Sequence, residues 1–240
     1  MQFQVAYHSD RYKSLPRISF WSVFKDRDMF RDNPVISDGS EKSILLTAKY
    51  HATESRKIFT TGWSAAASAE IAGKSFGGDF DFNSYLLDVR RYQPISEYDN
   101  LNIRFRVASA TGDVTVQNAF ELGGISTLPA FRYKEFVGNR MLLANVEYVV
   151  NGKLFDDDDI FPSWLFRNIN IILFGDAGYV STANRNDAVT DGFNHIDAKT
   201  VRSDWGFGFG SRDAKLRLGF SWRTDKAGPP MVFIRLNRPF

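Results

Sequence analysis

Read in steps of two, the chain sorts into an apolar and a polar set of residues almost everywhere. In LNIRFRVAS, Leu101, Ile103, Phe105 and Val107 share one parity, while Asn102, Arg104, Arg106 and Ala108 share the other. KLRLGFSWR sets Leu216, Leu218, Phe220 and Trp222 against Lys215, Arg217, Gly219, Ser221 and Arg223. SILLTAKYHAT places Ile44, Leu46, Ala48, Tyr50 and Ala52 opposite Leu45, Thr47, Lys49, His51 and Thr53. DWGFGFGS alternates Trp205, Phe207 and Phe209 with three glycines, and the closing MVFIRLNRPF puts Val232, Ile234, Leu236 and Phe240 across from Arg235 and Asn237. Successive side chains of a strand point to opposite faces, so this period marks strands with one apolar and one polar face. No segment shows an apolar stripe of helical period and length.

The pattern predicts about eleven strands, over 2–9, 16–25, 42–53, 57–72, 80–95, 100–110, 140–151, 167–180, 203–211, 214–224 and 230–240. Most approach the ~9–11 residues that a tilted strand needs to cross a bilayer, whereas strands of soluble sheets peak near ~5–6. The connections alternate in length. They are short near 10–15, 53–57, 95–100 and 211–214, and long near 26–41, 73–79, 110–139 and 181–203. Outer-membrane barrels have this asymmetry, with short periplasmic turns and long external loops. Two connections break it: 152–166 is long on the short-turn side, and 225–229 is short on the long-loop side. The fold class expected is therefore all-β, an antiparallel transmembrane β-barrel.

The polar faces agree with a water-filled lumen. Lys49, His51, Glu70, Asp88, Arg90, Arg104, Arg106, Lys215, Arg217, Arg223 and Arg235 all fall on inward parity. A small soluble barrel has no means of burying so many charges unpaired, but a wet lumen accepts them. The apolar face would meet lipid, with Trp21, Trp63, Trp164, Trp205 and Trp222 as candidates for interfacial girdles. Hydropathy in windows misses such a protein, because its apolar face occupies only every second residue.

Composition narrows the chemistry. The 240 residues are 43% hydrophobic and 24% charged with a net charge of +2, which offers no basic face for nucleic acid. The absence of Cys excludes disulfides and thiolate metal sites. His8, His51 and His195 have no ligand spacing, and GFGFG at 206–210 precedes no helix, so it is not a dinucleotide fingerprint. The run Asp156–Asp159 reads as a solvated acidic turn, since adjacent loop residues do not converge on one ion without a glycine-shaped frame. No catalytic residue, metal site or cofactor is expected, and the chain is read as a non-enzyme. The start, MQFQVAYHSDRYK, is no signal peptide, so an exported chain of this kind is expected to be incomplete on its N-terminal side.

Phe240 ends an alternating strand, and with Ile234 and Leu236 it resembles the C-terminal assembly signal of bacterial outer-membrane barrels. Four further stretches, FELGGISTLPAFRYKEFVGNRMLLANVEYVV (120–150), NIILFGDAGYV (170–180), DFDFNSYLLDVRRYQPIS and SRKIFTTGWSAAASAE, resemble the BamA/TamA family of outer-membrane assembly factors, also called the bacterial surface antigen family. The resemblance implies that residues 1–240 are a single barrel domain corresponding to the C-terminal part of a sixteen-stranded barrel, in the bacterial outer membrane. It also implies a role in inserting or translocating outer-membrane proteins, with the lipid bilayer, unfolded client proteins and periplasmic POTRA domains as partners. A passive pore, or the barrel anchor of a larger protein such as a patatin-like lipase, is the alternative.

In that family a long loop folds into the lumen, and an Arg-Gly-aromatic tip meets acids on the inner wall. An arginine fork pairs bidentately with a carboxylate in a partly desolvated setting. The resemblance puts the tip at Leu128, Pro129, Ala130, Phe131 and Arg132, and the acids at Glu147 and Asp176. Pro129 and Ala130 replace Arg and Gly, Phe131 keeps the aromatic, and Arg132 or Lys134 is the substitute cation.

Overall fold

A computed structural model describes residues 1–14, 36–56, 59–155, 168–194, 196–211 and 216–236. They contain β1 (Gln2–Tyr12), β2 (Gly39–Arg56), β3 (Phe59–Ala72), β4 (Phe82–Pro94), β5 (Asp99–Gly112), β6 (Phe120–Leu122), β7 (Phe136–Gly138), β8 (Arg140–Asn151), β9 (Ile169–Ser181), β10 (Arg202–Ser211), β11 (Leu216–Arg223) and β12 (Met231–Leu236). Ten of these form one antiparallel meander in the order β1-β2-β3-β4-β5-β8-β9-β10-β11-β12, and β6 and β7 pair separately as a small hairpin. Among the described residues β1 pairs with β2 alone and β12 with β11 alone, so the sheet is open there. No described helix is long and apolar enough to cross a membrane, which leaves crossing by strands untouched.

The strand expected over 16–25 lies outside the described residues. β1 and β2 pair directly, from Gln2↔Lys49 to Tyr12↔Gly39, so no strand stands between them. Alternation reports the two faces of a segment and says nothing of its partner. The connection between β1 and β2 thus joins the long-loop end with 73–81, 113–139 and 182–201. The long connection on the opposite end, between β8 and β9, also persists.

The face assignments follow parity. On the outer face Phe3, Val5, Leu46, Trp63, Leu87, Phe105, Leu173, Trp205, Leu218 and Ile234 are exposed. On the inner face Asp88, Asn102, Arg104, Asn145, Glu147, Asp176, Asp204 and Arg217 are buried. Trp205 and Trp222 stack 5.3 Å apart toward the long-loop end, and Trp63, with the Arg91 guanidinium 5.0 Å from its ring, sits toward the other. Trp21 and Trp164 lie outside the described residues.

Curvature follows from the side-chain contacts. β8 and β12 are four strands apart, which is ~19 Å along a flat sheet at ~4.8 Å per strand. Yet Arg235 on β12 comes within 3.7 Å of Glu147 on β8, and Arg217 on β11 within 2.8 Å. Side chains on one face converge only if that face is concave. The sheet therefore wraps around its polar face, and the connection between β5 and β8 lies inside the wrap.

Candidate functional site

The loop 113–139 is folded tightly before it meets the wall. The β6–β7 hairpin pairs Phe120↔Gly138 through Leu122↔Phe136. Gly123 and Gly124 then turn the chain at φ 111 and 89, a region that a side chain strains. A Cβ at Gly123 would also lie 2.2 Å from the Arg132 carbonyl oxygen. The Gly124 N–H donates to the carbonyls of Leu128 and Phe131, and the Gly123 N–H to Thr127 Oγ1 at 2.9 Å. Lys134 pairs with Glu121 at 2.6 Å, which raises its ammonium pKa above the usual lysine value.

An apolar surface seats this unit. Leu122, Leu128, Ala130 and Phe131 pack against Ala108, Met141 and Leu143 of β5 and β8. Gly178 of β9 leaves the room for it: a Cβ there would lie 2.8 Å from Leu122 and 3.3 Å from Leu128. Phe131 meets Phe136 edge-on at 5.3 Å, and the Arg223 guanidinium of β11 stands 4.2 Å from the Phe131 centroid. Arg223 also bonds Glu135 of the loop and Asp225, and the guanidinium holds the Asp225 carboxyl below the usual carboxylate range.

The polar contacts between loop and wall use the loop's backbone. Ala130 N–H donates to Asp204 Oδ2 of β10 at 2.9 Å, and Asn145 Nδ2 of β8 donates to the Thr127 carbonyl at 2.9 Å. Arg104 Nη1 of β5 reaches the Ser126 carbonyl at 3.5 Å. Asn145 also donates to Asp176 Oδ1 at 2.6 Å, and Asp176 lies directly across the ladder from Asp204.

The expected side-chain contact is not the one formed. Leu128, Pro129, Ala130 and Phe131 are buried at the wall, but Arg132 is exposed and its N–H is held by Glu135 at 2.8 Å. Glu147 instead pairs with Arg217 and Arg235, so its cations come from the wall. The reason is geometric. Pro129 brings no cation to the tip, the turn after Phe131 carries Arg132 away, and the coiled sheet delivers two guanidiniums to Glu147. Asp176 is bonded to Asn145 and not to a loop cation. A second knot lies on β4–β5, where Asp88 accepts from Arg90, Arg104 and Arg106.

Asp204 escaped the sequence reading. It is the first residue of DWGFGFGS and shares parity with Gly206, Gly208 and Gly210, which places it on the inner wall. Ile234 and Leu236 stand exposed on the outer face of β12; Phe240, His195 and Asp156–Asp159 lie outside the described residues. Among the described residues no group of three or more acidic or histidine side chains has the geometry to hold a metal.

Comparison with known proteins adds family evidence. The model of the Omp85 superfamily domain matches residues 36–226. The crystal structure of BamA from Haemophilus ducreyi lacking POTRA domains 1–3 is similar, with a TM-score of 0.64 and 16% identity. The match covers 96% of this chain and 49% of that one, so this chain spans about half of it, and at that identity the likeness concerns the fold. No curated protein sequence matches.

Proposed function

The chain belongs to the Omp85 superfamily, and from that premise we propose that it is the membrane-embedded part of a factor that inserts or translocates proteins at the bacterial outer membrane. Its partners would be lipid around the apolar face, unfolded outer-membrane polypeptides as clients, and POTRA domains of the kind carried by the similar BamA. The role is non-enzymatic: the work lies in binding and guiding a polypeptide.

One observation carries this reading. The loop 113–139 occupies the concave face, and it is held there by an apolar seat and by backbone hydrogen bonds to Asp204 and Asn145. An open passive pore would keep that space for solvent. A seated loop suits a barrel whose lumen is plugged while its wall handles a client.

Planar-bilayer recording of the full-length protein tests the choice. Small, flickering conductance is expected, rising to large and steady conductance when residues 123–135 are replaced by a short linker. Large, steady conductance from the unaltered protein would favour the passive pore. In cells, Asp204→Ala is expected to lower the level of assembled outer-membrane proteins while the variant itself still reaches the membrane. Unchanged levels with a displaced loop would point to a barrel that serves only as an anchor.

A further inference from the structure

We propose that one tightly held water molecule is a structural member of the joint between the loop and the wall, in a cavity lined by Thr127, Pro129, Asn145, Glu147, Arg217 and Arg235. The cavity has about 20 Å3 of water-sized space. About 10–15 Å3 by this measure admits a water, which also needs two to four polar partners.

The partners are there in matching number. Asn145, Glu147 and Arg217 are 3%, 5% and 5% exposed, and all three line the cavity. Two acceptors, Glu147 Oε2 and Asn145 Oδ1, and two donors, Arg217 Nε and Nη2, have no hydrogen-bond partner among the described residues. Their neighbouring atoms are committed. Arg217 Nη1 donates to Glu147 Oε1 at 2.8 Å, and Asn145 Nδ2 donates to Thr127 and Asp176. Those two bonds fix the orientation of the Asn145 amide, because carbonyl and carboxylate oxygens require the NH2 end. Its oxygen is therefore left for the cavity.

A water accepts two hydrogen bonds and donates two, so a single molecule has the donors and acceptors that these four atoms call for. A halide would satisfy the arginine but face two oxygens, and a small cation would satisfy the oxygens but face Arg217 and Arg235. Glu147 is one carboxylate between those two guanidiniums, so the case against a halide rests on the Glu147 and Asn145 oxygens that it would face. The water ties the Glu147–Arg217 pair to Asn145, which holds the loop carbonyl of Thr127. The assignment holds whatever the barrel transports.

A crystal structure of the full-length protein with ordered waters resolved is the test. One peak within hydrogen-bond reach of all four atoms is expected. Soaking in sodium bromide should leave it without an anomalous signal, and a bromide peak there would overturn the assignment in favour of an anion. A cavity closed by a bidentate Glu147–Arg217 contact would overturn it as well. Glu147→Gln replaces one carboxylate oxygen with an amide donor, so the water should weaken or vanish while Arg217 stays in place. An undiminished peak in that variant would overturn the four-atom assignment.

Discussion

Asp204 and Phe131 hold the loop by different means, and their replacements should differ in size. Asp204 is 3% exposed and accepts the Ala130 N–H. Removing an acceptor that leaves a buried donor unmet costs about 1–3 kcal/mol. Asp204→Ala also removes a carboxyl facing Asp176, so its net cost should fall in the lower part of that range, and Asp204→Asn should retain most of the seat. Phe131 is buried in the apolar seat beneath Arg223, and truncating such a ring costs about 3–5 kcal/mol. Arg132 is exposed, and its replacement by Ala should stay within about 0.5 kcal/mol. Hydrogen exchange at the Ala130 and Gly124 amides would rank the three: fastest in Phe131→Ala, intermediate in Asp204→Ala, unchanged in Arg132→Ala. Rapid exchange in Arg132→Ala would show that the exposed arginine holds the loop after all.

At the scale of elements, β9 is shaped for the loop. Gly178 pairs with Leu143 and with Arg202 in the ladders on either side, and its missing side chain admits Leu122 and Leu128. Gly178→Val suits a strand by its β-branched side chain, yet its Cβ overlaps Leu122. The sheet should form and the loop should be loosened as Leu122 and Leu128 shift, which limited proteolysis of the loop in detergent would read. A protease-resistant loop in that variant would count against seating on β9. The strands themselves were legible. The alternation marked 140–151 with the observed bounds of β8, and 203–211 came within one residue of β10. β6 and β7 were not legible, because three-residue strands carry too few positions to show a period. The segment 16–25 alternates as the sheet strands do, but β1 and β2 use each other's edges.

For the whole molecule, the outer face should behave as a lipid surface and the inner face as a wet wall. Leu218 points outward from β11, and Arg217 beside it points inward to Glu147. An arginine on the lipid face near the bilayer midplane costs about 2–4 kcal/mol. Leu218→Arg should therefore lower the yield of folded barrel, measured by heat-modifiable migration in electrophoresis. Ser221→Arg adds the same charge to the concave face and should be tolerated better only if water fills the space beside it; Ser221 is fully buried, so a comparable loss would indicate tight packing there. The Asp88 knot, with three guanidiniums on one carboxylate, shows that this wall gathers charge rather than excluding it.

The amino-acid sequence determined which residues face lipid and which face the concave side, because the alternation of side chains is local backbone geometry and needs no knowledge of partners. It also determined that a long, glycine-turned segment separates β5 from β8, and that Glu147, Asp176 and the arginines share the inner wall. The tertiary structure decided how those residues are matched. Glu147 meets Arg217 and Arg235 because the sheet coils by three and four strands, and Asp204 meets Ala130 because the loop folds into the hollow that the coil makes. Such contacts depend on curvature accumulated over many strands, which no spacing along the chain encodes.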